Sequence, residues 1–391
     1  MLFSLAAGNK MSYKSWVSLV KYIASIAIGL STWDVLLTHI INDITNSKST
    51  SNYNNCLVIM PDYEGYGTTR DRAHPYLYQE LTARQSVDAL LYGKALYNSD
   101  PELEDIRHPL RSDYRCMSCG YSQGGSVSMA CHRFIEQNGL SSSLHFVGSL
   151  CGDGPYDPMA TLMYYVQNDL NGKKMSLAVV LPLIMKGMLD TNPYMRNHTA
   201  TDYFTQKFLD TGIMTWLTEK EMTTTDIERA FKRCYDEGYN GDPNYFRDIF
   251  DANGNIMMRN IMNQACYDYF VNLYNANKDT FTSKEGIPLP AHRGVIEDLH
   301  FALASNDMTS GWAPKHQLIL FHSKDDTVVP LVNATSATNR LAGKVILETI
   351  SGKDHVDAGE AFFSQDKNYD VVIVDGMRLF QYVNTICDRD Y

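Results

Sequence analysis

The chain has 391 residues, 44% hydrophobic and 20% charged, enough apolar content to bury a substantial core and too much for a disordered tail. Its 45 acidic residues outnumber 34 basic ones for a net charge of −11, and no basic run offsets the balance, which argues against nucleic acid as a partner. No run of about 18 apolar residues occurs, so a membrane-spanning helix is not expected.

Taken in order, Trp16 to Leu30 is apolar but interrupted by Lys21. It reads as a buried helix or strand, and no clear small-residue cleavage site marks it as a signal peptide. Cys56 to Met60 reads as a buried strand, and Pro61, Asp62, Gly65 and Gly67 mark the turn-rich loop behind it. Glu80 to Tyr97 carries apolar residues at helical spacing. Strands are expected at Tyr114–Tyr121, His145–Leu150, His316–His322 and Lys344–Ile350, with helices at Gln123–Gln137 and Met377–Ile386. Strands alternating with helices predict a mostly parallel sheet covered by helices on both faces. The eight cysteines are scattered and do not form a disulfide framework. Cys116 and Cys119 share an expected strand, where residues three apart face opposite ways. No neighbouring Cys/His cluster completes a metal site there.

Between Gly154 and Trp312 the pattern becomes helical and too long for a crossover connection. The expected organisation is a first core part over residues 1–154, an inserted helical cap over 155–312, and a second core part over 313–391. The insertion holds twelve of the 18 methionines, which suits either a helical core or a pliable apolar pocket. Leu177 to Met185 is broken by Pro182 and too short to span a bilayer. It reads as a buried helix, and an acyl pocket or a transient contact with a lipid surface is also compatible with it.

The sharpest signal is Gly120-Tyr121-Ser122-Gln123-Gly124 between an expected strand and an expected helix, the context of a nucleophile elbow. The turn requires small residues two before and two after Ser122. The helix amino terminus behind it favours developing negative charge, and the Gln123 N–H would be one oxyanion donor. A serine nucleophile needs a base held by an acid, in the chain order Ser, acid, His. Asp326, ahead of Val329-Pro330 at the end of an expected strand, is the acid. Asp325 would then be a solvated or capping residue. Asp153 is a third candidate, with a rigid turn as its other reading. His355, past the strand Lys344–Ile350 and expected on a loop, is the base. His322 reads as core or second-layer support, His74 and His108 as loop residues ahead of proline, and His132 as packing.

These residues resemble the α/β-hydrolase superfamily, and within it lipases of the fungal secretory lipase A type and their bacterial relatives, which border prolyl-oligopeptidase-like hydrolases. The resemblance rests on Pro61-Asp-Tyr-Glu-Gly-Tyr-Gly67, Gly120-Tyr-Ser-Gln-Gly124, Asp326 with Val329-Pro330, His355, and the insertion after Cys151-Gly-Asp-Gly154, and covers roughly residues 55–391. It implies a helical cap, activity on carboxylic esters of small molecules or lipids, no metal or organic cofactor, and a secreted or periplasmic protein. Asp251 to Asn255 lacks the glycine and terminal glutamate of a calcium loop and reads as a turn. The front departs from the pattern. Such folds have two strands before the oxyanion strand, and only about twenty residues precede its natural candidate, Ile23–Leu30. The expectation is a sheet with N-terminal strands missing, a start further upstream, or an impaired chain. No His-Gly motif marks the second oxyanion donor, and the backbone near Leu30, Ser31 or Thr32 is assigned to it, with Ser31 at its centre. The rival functions are a serine exopeptidase using the same triad and a catalytically impaired binding protein on a hydrolase scaffold.

Overall fold

The computed structural model describes residues 2–6, 56–61, 63–99, 112–279 and 284–363, with single positions 101, 110 and 382. The expectations for Trp16–Leu30, for Ser31, for His108 and for most of the closing helix Met377–Ile386 lie outside the described residues.

Six strands form one sheet: β1 (Leu2–Ala6), β2 (Cys56–Ile59), β3 (Cys116–Tyr121), β4 (Phe146–Gly152), β5 (Gln317–Ser323) and β6 (Val345–Ile350). Their spatial order is β2-β1-β3-β4-β5-β6. From β3 to β6 every pairing is parallel. The register sets Gly120 beside Cys151 and Cys151 beside Leu320, so these strands end together at one edge. β1, which the sequence reading did not anticipate, lies antiparallel between β2 and β3. Five residues of mixed character are too short a run to signal a strand by periodicity.

Among the described residues the helices of nine or more residues are α1 (Gln79–Ser99), α2 (Gln123–Gln137), α3 (Pro158–Leu170), α4 (Val180–Thr191), α5 (Thr224–Glu237), α6 (Gln264–Asn277), α7 (Val295–Ala304), α8 (Val332–Arg340) and α9 (His355–Phe363). The central strands are apolar on both faces because helices cover both. On one face Cys116, Cys151, Leu318 and Leu320 pack with Val87 and Leu90 of α1, Val127 and Ile135 of α2, and Ala334 and Ala337 of α8. On the other, Phe321 meets Phe362 of α9 at a ring distance of 5.4 Å. Cys116 and Cys119 are both buried in β3.

Helices α3 to α7 all fall between β4 and β5 and share a second apolar cluster, which includes Met163, Met188, Phe204, Phe231, Phe270 and Leu303. Much of the methionine excess fills this cluster. None of the described helices is long and apolar enough to cross a membrane.

A buried polar knot joins the start of this helical segment to the sheet side. Asp157 caps α3 by accepting from the Ala160 N–H at 2.9 Å, and Pro158 at the first helical position needs no partner. The same carboxylate receives Arg340 of α8 at 2.8 Å, with both side chains only 4% exposed. The Asp157 N–H donates to Asn333 Oδ1, and Asn333 Nδ2 donates to Thr161 Oγ1, each at 2.9 Å. Burial and the nearby Asp307 carboxylate push Asp157 up to about 6 despite its Arg340 partner. Removing the cation leaves a buried carboxylate uncompensated. Arg340→Met is therefore expected to destabilise the fold by about 3–5 kcal/mol in urea denaturation, with Asp157→Asn in the same chain recovering part of the loss. An Arg340→Met chain as stable as wild type would contradict this account.

Candidate active site

The turn between β3 and α2 has the geometry its sequence predicts. Ser122 adopts φ 55° and ψ −123°, a region that costs a non-glycine residue about 1–3 kcal/mol. The turn closes so tightly that a Cβ at Gly120 would stand 2.1 Å from the Gly124 carbonyl oxygen. Sequence reasoning named Gly120 and Gly124 and missed Gly125, where a Cβ would stand 2.4 Å from the Gly152 carbonyl oxygen as α2 crosses β4. The Ser122 N–H donates to that Gly152 oxygen at 2.9 Å, tying the turn to the neighbouring strand. Gln123 is the first residue of α2, so its N–H belongs to the amides that have no partner within the helix.

The three residues proposed from sequence as nucleophile, base and acid come together in one hydrogen-bonded chain. The Ser122 hydroxyl donates to His355 Nε2 at 2.9 Å, and His355 Nδ1–H donates to Asp326 Oδ2 at 2.5 Å. All three side chains are buried. Asp326 Oδ1 accepts the Val328 and Val329 amides, both at 2.8 Å, so each carboxylate oxygen has a fixed duty. His355 begins helix α9 rather than lying on a loop. The reason is Asp354, whose carboxylate accepts from the Val356 and Asp357 amides at 3.0 Å and starts the helix at once. An aspartate just before the turn was the available signal. Burial alone would lower the His355 imidazole. The hydrogen bond and charge of Asp326, with Asp153 and Asp354 behind it, outweigh burial and hold the imidazole above its ordinary value.

The neighbours of this chain were only partly legible. Tyr121 was expected merely as an elbow residue. Its hydroxyl donates to the His355 carbonyl at 2.6 Å, and its ring lies 5.3 Å from the imidazole. Asp153 sits in the left-handed region at φ 36°. It accepts the Ser323 N–H at 2.7 Å rather than any His355 proton, and burial first raises its carboxyl. Asp325 is exposed and accepts the Gly352 N–H at 2.6 Å. His322 is fully buried in β5, and its Nε2–H donates to the Val329 carbonyl at 2.8 Å. His74 does more than its expected loop role. It is buried, donates from Nδ1 to the Glu64 carbonyl at 3.1 Å, and accepts from Gln123 Nε2 at 2.8 Å. Burial lowers it to about 4, so it stays neutral and can accept. Tyr165, also missed, donates from α3 to the Val328 carbonyl at 2.5 Å and braces the acid-bearing turn. The second oxyanion donor assigned near Ser31 lies outside the described residues.

No protein-family model and no curated protein matches the chain. Solved structures do. The rice cell wall degrading esterase LipA from Xanthomonas oryzae aligns at 20% identity over 86% of this chain and 74% of its own, with a TM-score of 0.57. A Legionella pneumophila protein provisionally classed as a hydrolase aligns at 18% identity over 89% and 77%, with a TM-score of 0.55. The chain has the α/β-hydrolase fold. Candida antarctica lipase A in its closed state also aligns, at 13% identity over 78% and 58% with a TM-score of 0.44, too low to add weight. At these identities the likeness establishes the fold and leaves the activity to the site.

The balance at His355 has a measurable consequence that needs no substrate. Its imidazole pKa, followed by histidine Cε1–H NMR with His355→Gln for assignment, is expected above about 6.5. In Asp326→Asn the raising partner is lost while burial remains, so the value is expected to fall below 6.5. A shift in the opposite direction would refute the assignment of Asp326 as the partner that charges His355.

Proposed function

We propose that this chain is a serine hydrolase that cleaves carboxylic esters through an acyl-enzyme. The observation that carries the reading is the unbroken line from Ser122 Oγ through His355 to Asp326, with hydrogen bonds of 2.9 and 2.5 Å. Ser122 Oγ attacks the acyl carbon while His355 Nε2 takes its proton. Asp326 keeps the imidazole in the Nδ1–H tautomer and stabilises the imidazolium. The tetrahedral oxyanion is placed against the Gln123 N–H at the start of α2, with a second backbone donor assigned near Ser31. Tyr121 sets the tilt of the imidazole from behind, through its hydrogen bond to the His355 carbonyl. His355 then returns the proton to the leaving alkoxide, and water repeats the sequence on the acyl-enzyme. Each step uses groups of this chain, with no cofactor in the scheme.

The helical segment of residues 155–312 is proposed as a cap over the site, flanked by core parts 1–154 and 313–391. Small-molecule or lipid esters are the proposed substrates, with transient contact to a lipid surface for the latter. Support comes from the esterase among the structural neighbours and from a small apolar cavity of about 20 Å³ beside Tyr165, lined by Leu162, Leu181, Ile184, Met185 and Leu303. That volume holds about one water molecule, so an acyl chain entering there must displace side chains, and the unbranched Met185 is the one most able to yield.

The test is hydrolysis of p-nitrophenyl esters from acetate to palmitate by wild type and Ser122→Ala. Turnover that falls at least about 10³-fold in Ser122→Ala is expected, down to the residual level left when a triad member is removed. Ester turnover that survives Ser122→Ala would overturn the reading. So would its absence in wild type, and cleavage of aminoacyl arylamides would then favour the exopeptidase.

A further inference from the structure

A second convergence of chemistry-bearing side chains lies at the opposite edge of the sheet. His132 and Glu136 sit one turn apart on α2 and face the same way. His316 stands just before β5, which begins at Gln317. Because β3, β4 and β5 run parallel, the start of β5 is at the far edge from the turn that follows β3. His132 is also ten residues along α2 from Ser122, about 15 Å at 1.5 Å per residue. The ligand atoms of these three residues all lie within 4.8 Å of one another. Among the described residues the other such group, Asp153, His322 and Asp326, belongs to the candidate active site.

Counting partners shows that the first group is over-subscribed. Glu136 Oε1 faces His132 Nε2 at 3.0 Å, His316 Nδ1 at 2.8 Å and the His316 N–H at 2.8 Å, while the Lys315 N–H is shared between Oε1 and Oε2 at 3.0 Å each. One carboxylate oxygen offers two lone pairs, so even with the Lys315 amide served by Oε2, three further nitrogens cannot all donate well to Oε1. The two backbone amides are fixed donors. The two ring nitrogens are the groups that can instead present lone pairs. His132 is oriented for this: its other nitrogen, Nδ1, meets Ser149 Oγ at 3.0 Å, the outer hydrogen bond that a metal-binding imidazole usually makes. The rings are held edge-on by aromatic neighbours, His132 against Trp312 at 5.4 Å and Phe146 at 4.9 Å, His316 against Phe146 at 5.7 Å. The His132 and Glu136 side chains are 0% and 4% exposed, while His316 is 32% exposed and leaves an open side for water.

We propose that His132 Nε2, Glu136 and His316 Nδ1 bind a single zinc ion with water as the fourth ligand, clamping α2 to the start of β5. Two imidazoles and one carboxylate are a zinc donor set. At zinc bond lengths of about 2.0–2.1 Å the ligand atoms stand roughly 3.3 Å apart, so the two histidine–Glu136 spacings of 3.0 and 2.8 Å need to open by only a few tenths of an ångström, and the two ring nitrogens lie within 4.8 Å of each other. The imidazoles bind through unprotonated nitrogens, and any proton on the ligating atoms is released to solvent. The ion braces the helix that begins at the nucleophile against the strand that leads to the acid. It stands apart from the ester chemistry.

The experiment uses the untagged full chain, stripped with a chelator and then exposed to zinc chloride. Elemental analysis after desalting is expected to give one zinc per chain, and excess zinc is expected to raise the melting temperature by about 5 °C. His316→Ala, at a partly exposed position that tolerates truncation, is expected to bind zinc more than tenfold more weakly and to lose the thermal response. Its p-nitrophenyl ester turnover should stay within about twofold of wild type. Glu136→Gln, checked for native circular dichroism, should lose zinc likewise. A wild-type chain that retains no zinc and shows no thermal response would overturn the proposal, as would His316→Ala binding zinc as tightly as wild type. These readouts are separate from ester turnover, so failure of either proposal leaves the other standing.

Discussion

The geometry of the molecule hangs on one strained residue. Ser122 leaves β3 and enters α2 with a positive φ, a conformation that holds only where the surroundings fix it. Two close approaches do so: the Gly120–Gly124 crossing within the turn and the contact of Gly125 with the Gly152 carbonyl. The second matters as much as the first, because it lets α2 lie directly on β4. Val127, Cys131 and Ile135 then reach the apolar cluster against α1 and the sheet. The strain at one residue is thus offset by the packing of a whole helix, a larger quantity at about 1.5–3 kcal/mol for each large side chain fully buried. The same strain points the hydroxyl at His355 and aims an amide terminus at the space in front of it.

Much of the core was legible because its signals are local. Short apolar runs ended by turn residues marked β2 to β6, and the elbow motif carried its own context. The Ser–acid–His order singled out Asp326 and His355 from many acids and eleven histidines. What escaped were contacts between segments far apart in sequence. Tyr165 and Val328 are 163 positions apart, and His74 and Gln123 are 49 apart. No periodicity links such pairs. His132 and Glu136 show a helical spacing, but the partner that gives the spacing meaning, His316, comes 180 residues after Glu136. β1 escaped for another reason: a strand of five residues between two antiparallel neighbours is specified by pairing more than by its own pattern.

Charge in the candidate site follows a consistent rule, in which burial is opposed only where a specific partner opposes it. At His355 the Asp326 hydrogen bond and charge outweigh desolvation and the imidazole is raised. At His74 the partners are a carbonyl and an amide, which are weaker, and desolvation lowers the imidazole. Two buried histidines near one serine therefore have opposite characters. One has its proton affinity raised, and the other stays neutral as an acceptor for the Gln123 side chain. A charged His74 would have no lone pair to offer Gln123.

The helical segment between β4 and β5 reaches the site from two sides, and this links its position to the chemistry proposed. On one side Tyr165 grips the Val328 carbonyl, two residues from Asp326. On the other, Lys220 donates to the carbonyls of Gly65, Arg70 and Arg72 at 2.6, 3.1 and 2.6 Å, and Arg70 reaches back to the Glu219 carbonyl at 3.3 Å. The loop so gripped carries His74, which holds Gln123. Burial lowers the Lys220 ammonium, and three carbonyl acceptors and the Tyr66 ring, 5.4 Å away, return part of the solvation its charge loses. A shift of the helical segment would pull on Asp326 through Tyr165 and on Gln123 through Lys220 and His74. In the proposed scheme, substrate preference set by that segment and reactivity set at Ser122 are therefore not independent.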